Sequence, residues 1–335
     1  MHIVFTTPHT RIAGGTKVIL TIADRLARNG VKTSVVVKKY TSSDLSWFAS
    51  KKGKPGFTVC GSNVDVDRKL SDASCIVHYG DDTSLFDVDT KHIMYFQNFG
   101  VHSPDIENNN MLNRKYNQVA TTSKWLHDIS VKNGHNTVII PPGIDEIFCK
   151  SAVAKTKPPT IGCLFHHHHS KNIGMFFDIV HALKKKINIQ VLFLSSSVPT
   201  FSVKDKIRGV KHNIYIAPER SLLPSIYSSC DVWVTPSTVE GFGLPTLEAM
   251  SCEVPVVSTM NRGLDEHLIH GTNCMTVPGF DKDSAKQAAD HIHYLMANDR
   301  FRHKIANNGK LLSQHFSWHR SIAAWINLIA RTCKK

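Results

Sequence analysis

The chain has 335 residues, of which 41% are hydrophobic and 20% are charged, and its formal net charge is +13. These values are typical of a globular protein with two domains, and no apolar run approaches the roughly 20 residues that span a bilayer. The first residues predict a strand rather than a signal peptide, so we expect a cytoplasmic protein. The positive charge favours anionic partners, namely nucleotide phosphates or an anionic membrane contacted peripherally, while no motif indicates nucleic-acid binding.

The first half of the chain alternates apolar strands with helices, which predicts an α/β fold with a parallel, doubly wound sheet. After a first strand over residues 1–5, Gly14 and Gly15 open a helix that Gly30 ends. Ser123 is the predicted N-cap of a second helix that runs to residue 133. The further predicted strands cover residues 32–37, 57–60, 75–78, 92–96, 118–121 and 137–140.

Residues 149–159 are rich in lysine and proline and predict a linker, which places the first domain at 1–148 and the second at 160–315. The second domain repeats the alternation of strands and helices. Its predicted strands cover residues 160–165, 189–194, 213–217, 231–235, 254–258 and 273–277. Its predicted helices cover residues 173–185, 222–229, 246–252 and 283–298, and a last helix covers 321–333.

Four consecutive histidines, residues 166–169, follow the first strand of the second domain. In one extended loop these side chains would point in different directions, and no carboxylate or cysteine accompanies them locally. The cysteines are scattered without a CxxC pair, which favours reduced thiols. The sequence therefore predicts neither a metal site nor a disulfide framework.

The most informative stretch is 236–250, Pro-Ser-Thr-Val-Glu-Gly-Phe-Gly-Leu-Pro-Thr-Leu-Glu-Ala-Met, which follows a strand and opens a helix. Gly241 and Gly243 permit a tight turn and a close approach to a ligand. The helix N-terminus suits a phosphate, and the carboxylates of Glu240 and Glu248 could accept hydrogen bonds from hydroxyl groups. A nucleotide-sugar is a ligand that carries both phosphate groups and several hydroxyl groups, so the stretch suits such a ligand. The alternative is an ordinary turn between a strand and a helix with two solvated glutamates.

This stretch resembles the signature of family 4 retaining glycosyltransferases, in which two glutamates flank a Gly-Phe-Gly-Leu-Pro turn. The resemblance implies two Rossmann-like, doubly wound domains that face each other across a cleft, the GT-B architecture. It implies that Glu240 contacts hydroxyl groups of the donor sugar and that Glu248 holds the ribose hydroxyls. The donor sugar and phosphate would lie along the turn formed by Gly241, Phe242, Gly243 and Leu244.

Other positions resemble the family's phosphate-binding loops. The loop at Gly14 and Gly15 resembles one that lies over the donor phosphates. Lys171 matches a family lysine that neutralises the diphosphate. The family arginine that usually precedes this lysine is missing, and His166 or His167 stands near its place. Since a histidine is only partly charged at neutral pH, the strength of diphosphate binding could differ here.

Three further residues are candidates by position within the family. Arg220 lies in the loop that borders the nucleobase in relatives. Gln97 occupies the position where many relatives have an acceptor-side histidine, and His102 lies nearby. The family's C-terminal segment, here residues 316–335, crosses back to complete the first domain.

The resemblance implies a transferase that moves a hexosyl or pentosyl group from a nucleotide-diphosphate sugar to a hydroxyl of a glycan, glycolipid or glycoprotein. It also implies retention of anomeric configuration without a metal or other cofactor. Two Asp-Val-Asp runs, at 65–67 and 87–89, fall in the acceptor-side half and are interpreted as solvated acids. The alternatives are a non-catalytic nucleotide-sugar-binding protein and an epimerase or phosphorylase of the same architecture.

Overall fold

The computed structural model describes residues 1–9, 13–37, 48, 58–60, 71–79, 88–97 and 114–334. The chain divides into two compact units: Met1–Gly143 together with Trp318–Lys335, and Ile144–Ser317.

Within the described residues, the first unit contains a seven-stranded sheet in which every strand pair is parallel. The strand order is β3-β2-β1-β4-β5-β6-β7. In chain order its elements are β1 (His2–Thr7), α1 (Gly14–Arg28), β2 (Lys32–Val37), β3 (Thr58–Cys60), β4 (Cys75–His78), β5 (Lys91–Phe96), β6 (Gln118–Thr121), α2 (Lys124–Lys132), β7 (Thr137–Ile139) and, at the C-terminus, α9 (Trp318–Cys333).

The second unit contains a six-stranded parallel sheet with the order β10-β9-β8-β11-β12-β13. Its elements are β8 (Thr160–Phe165), α3 (Ile173–Leu183), β9 (Gln190–Ser195), α4 (Val203–Lys206), β10 (Lys211–Ile216), α5 (Leu223–Ser229), β11 (Val232–Thr235), α6 (Leu244–Ser251), β12 (Val256–Thr259), β13 (Met275–Val277), α7 (Lys282–Ala297) and α8 (Asp299–Gln314). Two short 3-10 turns, His169–Lys171 and Arg220–Leu222, precede α3 and α5.

Both sheets reverse their strand order once, between β1 and β4 in the first unit and between β8 and β11 in the second. This is the doubly wound topology that the alternating sequence pattern predicts. In such sheets the loops diverge at the reversal, which opens a crevice outside the carboxyl ends of the two central strands. A ligand site is therefore expected in the segments that follow β1, β4, β8 and β11.

The C-terminal helix α9 packs in the first unit through a buried tryptophan. The Trp325 ring lies 4.9 Å from the Tyr95 ring and 6.4 Å from the Phe5 ring, measured between centroids. Because Phe5 belongs to β1 and Tyr95 to β5, the helix covers the central strands of this sheet. The structure thus groups residues 318–335 with the first unit.

The segment 149–159, for which the sequence predicts a linker, packs onto the second unit. The Ser151 amide donates to Ser228 Oγ at 3.0 Å, and the Lys155 ammonium donates to the Cys230 carbonyl. Residues 144–148, predicted to end the first domain, also belong to the second unit. The Ile144 amide donates to the Phe316 carbonyl at 2.7 Å, which joins the two ends of that unit.

Helix α8 was not predicted from the sequence. Its residues Asp299–Gln314 are mostly polar, and its buried positions are Ile305, Ala306, Gly309 and Ser313. Such a face of mainly small side chains carries little apolar periodicity. The short helix α4 was not predicted either, and the other helices differ from the prediction by a few residues: α9 begins at Trp318 rather than 321, and α6 begins at Leu244 rather than 246.

Among the helices that the structure describes, none combines the length and the apolar character that crossing a bilayer requires.

Gly162 of β8 is a position at which the packing at the centre of the second sheet can be tested. A Cβ atom on Gly162 of β8 would lie 2.5 Å from both Cys230 Sγ and the Trp233 ring. We expect Gly162→Ala to lower the free energy of unfolding by about 1–3 kcal/mol through overpacking. Urea unfolding followed by tryptophan fluorescence measures this change.

Gly174 in α3 is the matched control, since a Cβ there would have no atom within 4 Å. Gly174→Ala should leave the stability unchanged or raise it by up to about 1 kcal/mol. Equal effects of the two substitutions would contradict the close packing around β8.

Candidate functional site

An ion pair joins the two loops at the reversal point of the second sheet. Lys171 Nζ donates to Glu240 Oε1 at 2.7 Å and to Oε2 at 2.8 Å. Lys171 follows β8, and Glu240 follows β11. The Thr238 amide also donates to the Ser170 carbonyl at 2.7 Å, so backbone and side chains both tie these loops together. The structure thus brings together two predicted site residues that are far apart in sequence.

The Glu240 carboxylate is held by its own loop as well as by Lys171. Ser237, which is buried, donates its hydroxyl to Glu240 Oε1 at 2.7 Å, and the Glu240 amide donates to the Asn261 carbonyl at 2.9 Å. A Cβ atom on Gly263 would lie 2.6 Å from the Phe242 carbonyl oxygen and 2.8 Å from Glu240 Cβ. Only a glycine therefore lets the loop after β12 lie against the loop that carries Glu240.

The turn from β11 into α6 has the conformation that the glycines predict. Gly243 is the residue before the helix and has φ 102°, in the region that favours glycine. Leu244 and Pro245 begin α6, so the first amides of the helix lie next to this turn. Phe242 directs its side chain into the core, where its ring lies 5.2 Å from that of Phe316. Its side chain is thus part of the packing, and only the backbone of this turn remains as a ligand surface.

Glu248, the second glutamate of the stretch, lies in α6 and is mostly buried, with 7% of its surface exposed. The hydroxyl of Tyr227 in α5 donates to Glu248 Oε2 at 2.8 Å. Burial, followed by the nearby Glu248 carboxylate, raises the pKa of Tyr227 well above its ordinary value. Tyr227 is therefore a neutral hydrogen-bond donor, and the sequence analysis did not identify it.

The histidines after β8 form several separate interactions. The His168 amide donates to His166 Nδ1 at 3.0 Å, and the Ser170 amide donates to His168 Nδ1 at 3.2 Å. His167 Nε2 lies 3.3 Å from the Val198 carbonyl oxygen. Burial, then Lys171 and the neighbouring histidines, lower the pKa of His166. His166, near the place of the family arginine, is therefore a neutral imidazole at neutral pH.

Arg220, which was predicted to border the nucleobase, forms an ion pair with Asp145. The side chain of Asp145 is largely buried, and that of Arg220 is one-third exposed. A guanidinium group has several N–H donors, so this pair still leaves Arg220 able to contact a second partner. Asp145 is a partner that the sequence analysis did not assign.

The first unit places three predicted residues together at its own reversal point. Gly14 and Gly15 begin α1, and Gln97 Nε2 donates to the Gly15 carbonyl at 3.4 Å. A Cβ atom on Gly15 would overlap the hydroxyl end of the Tyr79 side chain, so the glycine lets Tyr79 lie against the start of α1. Tyr79 follows β4 and was not predicted to lie at the site. His102 lies outside the described residues.

Across the described ranges, no group of three or more His, Cys, Asp or Glu side chains is arranged to hold a metal ion. Four residues that contact predicted site residues were not identified from the sequence. They are Ser237, Tyr227, Tyr79 and Asp145. Ser237 lies three positions before Glu240 and could have been suspected from its hydroxyl group. The other three are remote in sequence from their partners and carry no comparable signal.

The sequence of the second unit matches a known protein family. The profile of the family described as "Glycosyl transferases group 1" matches residues 145–312. D-inositol 3-phosphate glycosyltransferase of Xylanimonas cellulosilytica is 32% identical over 129 residues, which cover 38% of this chain and 30% of that protein. In the first such relatives, the matched segment covers less than a third of the relative's own length.

Two solved structures resemble the chain over nearly its whole length. Sucrose-phosphate synthase from Thermosynechococcus elongatus has a TM-score of 0.79 and 17% identity, covering 98% of both chains. Anabaena HepE in complex with UDP-glucose has a TM-score of 0.78 and 16% identity, covering 99% of this chain and 100% of the other. These likenesses confirm the predicted fold of two Rossmann-like domains, the GT-B type. The family match over half of its residues shows that the chain belongs to the group 1 glycosyltransferases.

Proposed function

We propose that the protein transfers a sugar from a nucleotide-diphosphate sugar to a hydroxyl acceptor, with retention of configuration and without a metal ion. The observation that carries this proposal is the Lys171–Glu240 pair beside the N-terminus of α6. It provides a cation, a carboxylate and backbone amides at one end of the second sheet. The cation suits a diphosphate, the carboxylate can accept hydrogen bonds from sugar hydroxyls, and the amides can donate to phosphate oxygens.

Lys171 can serve the donor without leaving Glu240. An ammonium group has three N–H donors, and the two oxygens of Glu240 engage two of them. The third can bind a phosphate oxygen. Its charge, together with the amides at Gly243 and Leu244, would stabilise the leaving diphosphate, and one such contact is worth about 3 kcal/mol in a transition state.

The environment of Glu240 supports a positioning role rather than nucleophilic attack. Its carboxylate accepts hydrogen bonds from the Lys171 ammonium and the Ser237 hydroxyl, which lower its electron density. In the proposed step the bond from the anomeric carbon to the phosphate oxygen breaks, and the acceptor oxygen bonds to that carbon from the same face. The acceptor proton passes to the departing phosphate, so no side chain is needed as the base.

Glu248 is proposed to bind the ribose of the donor, at the far side of the same turn. It is nearly buried and is fixed by Tyr227, which suits recognition of a pair of neighbouring hydroxyls. Among structural neighbours, the HepE complex contains UDP-glucose, which is consistent with a nucleotide-sugar donor. The acceptor is proposed to be a glycan, glycolipid or glycoprotein, and peripheral contact with an anionic membrane stays a prediction from the net charge of +13.

Nucleotide binding should raise the melting temperature of the protein. We expect one of the UDP-, GDP-, ADP- and TDP-sugars to raise it by about 5–10 °C at roughly 100 times its dissociation constant. EDTA should not change this shift, because protein groups neutralise the diphosphate. Thermal denaturation with a panel of these donors, each with and without EDTA, is the measurement.

The panel separates the proposal from its alternatives. No shift with any donor would contradict a nucleotide-sugar site, and a shift that EDTA abolishes would contradict metal independence. A shift without transfer to any acceptor would indicate a binding protein. Conversion of the donor in the absence of acceptor would indicate an epimerase or a phosphorylase.

The role of Glu240 predicts a large loss of activity from a small change. Glu240→Gln keeps the side-chain size but removes the charge, so we expect transfer to slow by about 10²-fold or more. Lys171 keeps a largely buried charge in this variant, so the free energy of unfolding should also fall by about 3–5 kcal/mol, and circular dichroism at the assay temperature checks that the variant is folded. Steady-state kinetics with the donor identified by the panel measure the first effect.

Glu253→Gln provides a matched control. Glu253 follows the other end of α6 and is also ion-paired, with Lys150 at 2.9 Å and Lys310 at 2.7 Å. Because it lies away from the β11–α6 turn, its substitution should cost stability but preserve transfer. Equal activity losses in the two variants, or full activity of Glu240→Gln, would refute the site assignment.

A further inference from the structure

Tyr227 is a buried phenol whose surroundings fix its orientation. Its side chain is fully buried in α5, and its ring meets the Trp233 ring at 4.7 Å and the Phe148 ring at 5.9 Å, both edge to face. Trp233 belongs to β11, so the ring rests on the central part of the sheet. Packing of this kind leaves a side chain in one rotamer. The phenol oxygen therefore has a defined position next to α6.

The hydrogen bond from Tyr227 orients one oxygen of Glu248. The donor–acceptor distance is 2.8 Å, which is typical of a well-formed O–H···O bond. The phenol stays protonated at all physiological pH values, because burial and the adjacent carboxylate both raise its pKa. A glutamate side chain alone has several rotatable bonds and would sample many orientations. The hydrogen bond from Tyr227 holds one oxygen of the carboxylate in place before any ligand arrives.

We propose that Tyr227 is a positioning residue that holds Glu248 in the orientation required to bind the ribose hydroxyls of the donor. The inference rests on the proposed function, since it assigns Glu248 to the nucleotide. A carboxylate that is already oriented does not have to be ordered during binding, which strengthens the complex. Tyr227 would therefore contribute to donor affinity and to ribose recognition without touching the donor.

Tyr227→Phe isolates the hydrogen bond, since the ring contacts with Trp233 and Phe148 remain. The probe is UDP, GDP or ADP, whichever raises the melting temperature most, together with its 2′,3′-dideoxy analogue. Calorimetry should show that the wild type binds the ribose form at least about tenfold more tightly, as expected for hydrogen bonds to a carboxylate. In Tyr227→Phe the ribose form should bind about tenfold more weakly, and the affinity for the dideoxy form should not change. The ratio of the two affinities should therefore approach one.

Two further variants separate positioning from a general structural role. Tyr95→Phe removes a comparable buried hydrogen bond in the first unit, where the phenol donates to the Ile140 carbonyl at 3.0 Å. Tyr95→Phe should keep the wild-type ratio of the affinities for the ribose and dideoxy nucleotides. Glu248→Gln should lose the ratio, and adding Tyr227→Phe to it should cause no further loss, because both act through one carboxylate.

Each outcome has a distinct meaning. A wild-type ratio in folded Tyr227→Phe, or equal weakening of both nucleotides, would overturn the positioning role and leave the proposed function standing. If Tyr227→Phe does not fold, an unchanged ratio in Glu248→Gln would overturn the role instead. Absence of nucleotide binding by the wild type would overturn the proposed function and the role of Tyr227 with it.

Discussion

The arrangement of the candidate site in the second unit depends on the ion pair between Lys171 and Glu240. It connects the segments after β8 and β11, the two strands between which the sheet reverses its order. Both side chains are largely buried, with 22% and 10% of their surfaces exposed, so each loses hydration when the pair forms. A pair of this kind adds little net stability, yet removing one partner leaves the other charge buried and costs several kcal/mol, about 3–5 in measured cases. Its main effect is to fix where a cation and a carboxylate lie relative to each other.

The two glutamates of the stretch are held by different kinds of partner. Glu240 is bound by a cation, whereas Glu248 is bound by a neutral phenol. A bound diphosphate would share the charge of Lys171 with Glu240 through the third N–H donor of the ammonium group, so the first contact is coupled to the donor. The second contact does not change, because Tyr227 carries no charge in either state. One glutamate is thus coupled to the phosphate chemistry, and the other is a fixed point of recognition.

The fold was predictable, and the two glutamates could be proposed as site residues, because both leave local signals in the sequence. Apolar strands that alternate with helices indicate a doubly wound sheet, and a glycine-rich turn before a helix indicates a ligand loop. The partners of the carboxylates were not predictable, because Tyr227 meets Glu248 only after α5 and α6 pack together. Helix α8 was missed for a related reason. Gly309 packs close to Met250, and a buried face of small residues resembles a polar loop in sequence.

Strand topology explains why residues so distant in sequence converge on Glu240. Lys171, Ser237 and Asn261 follow β8, β11 and β12, which are adjacent parallel strands, so their carboxyl ends lie at one edge of the sheet. The contact at Gly263 adds a constraint that involves no functional group, because a side chain there would overlap Glu240 Cβ and the Phe242 carbonyl. The backbone of the loop after β12 therefore limits the position of the carboxylate as directly as Lys171 does. A search for polar residues alone would overlook Gly263, although the chemistry at Glu240 requires its small size.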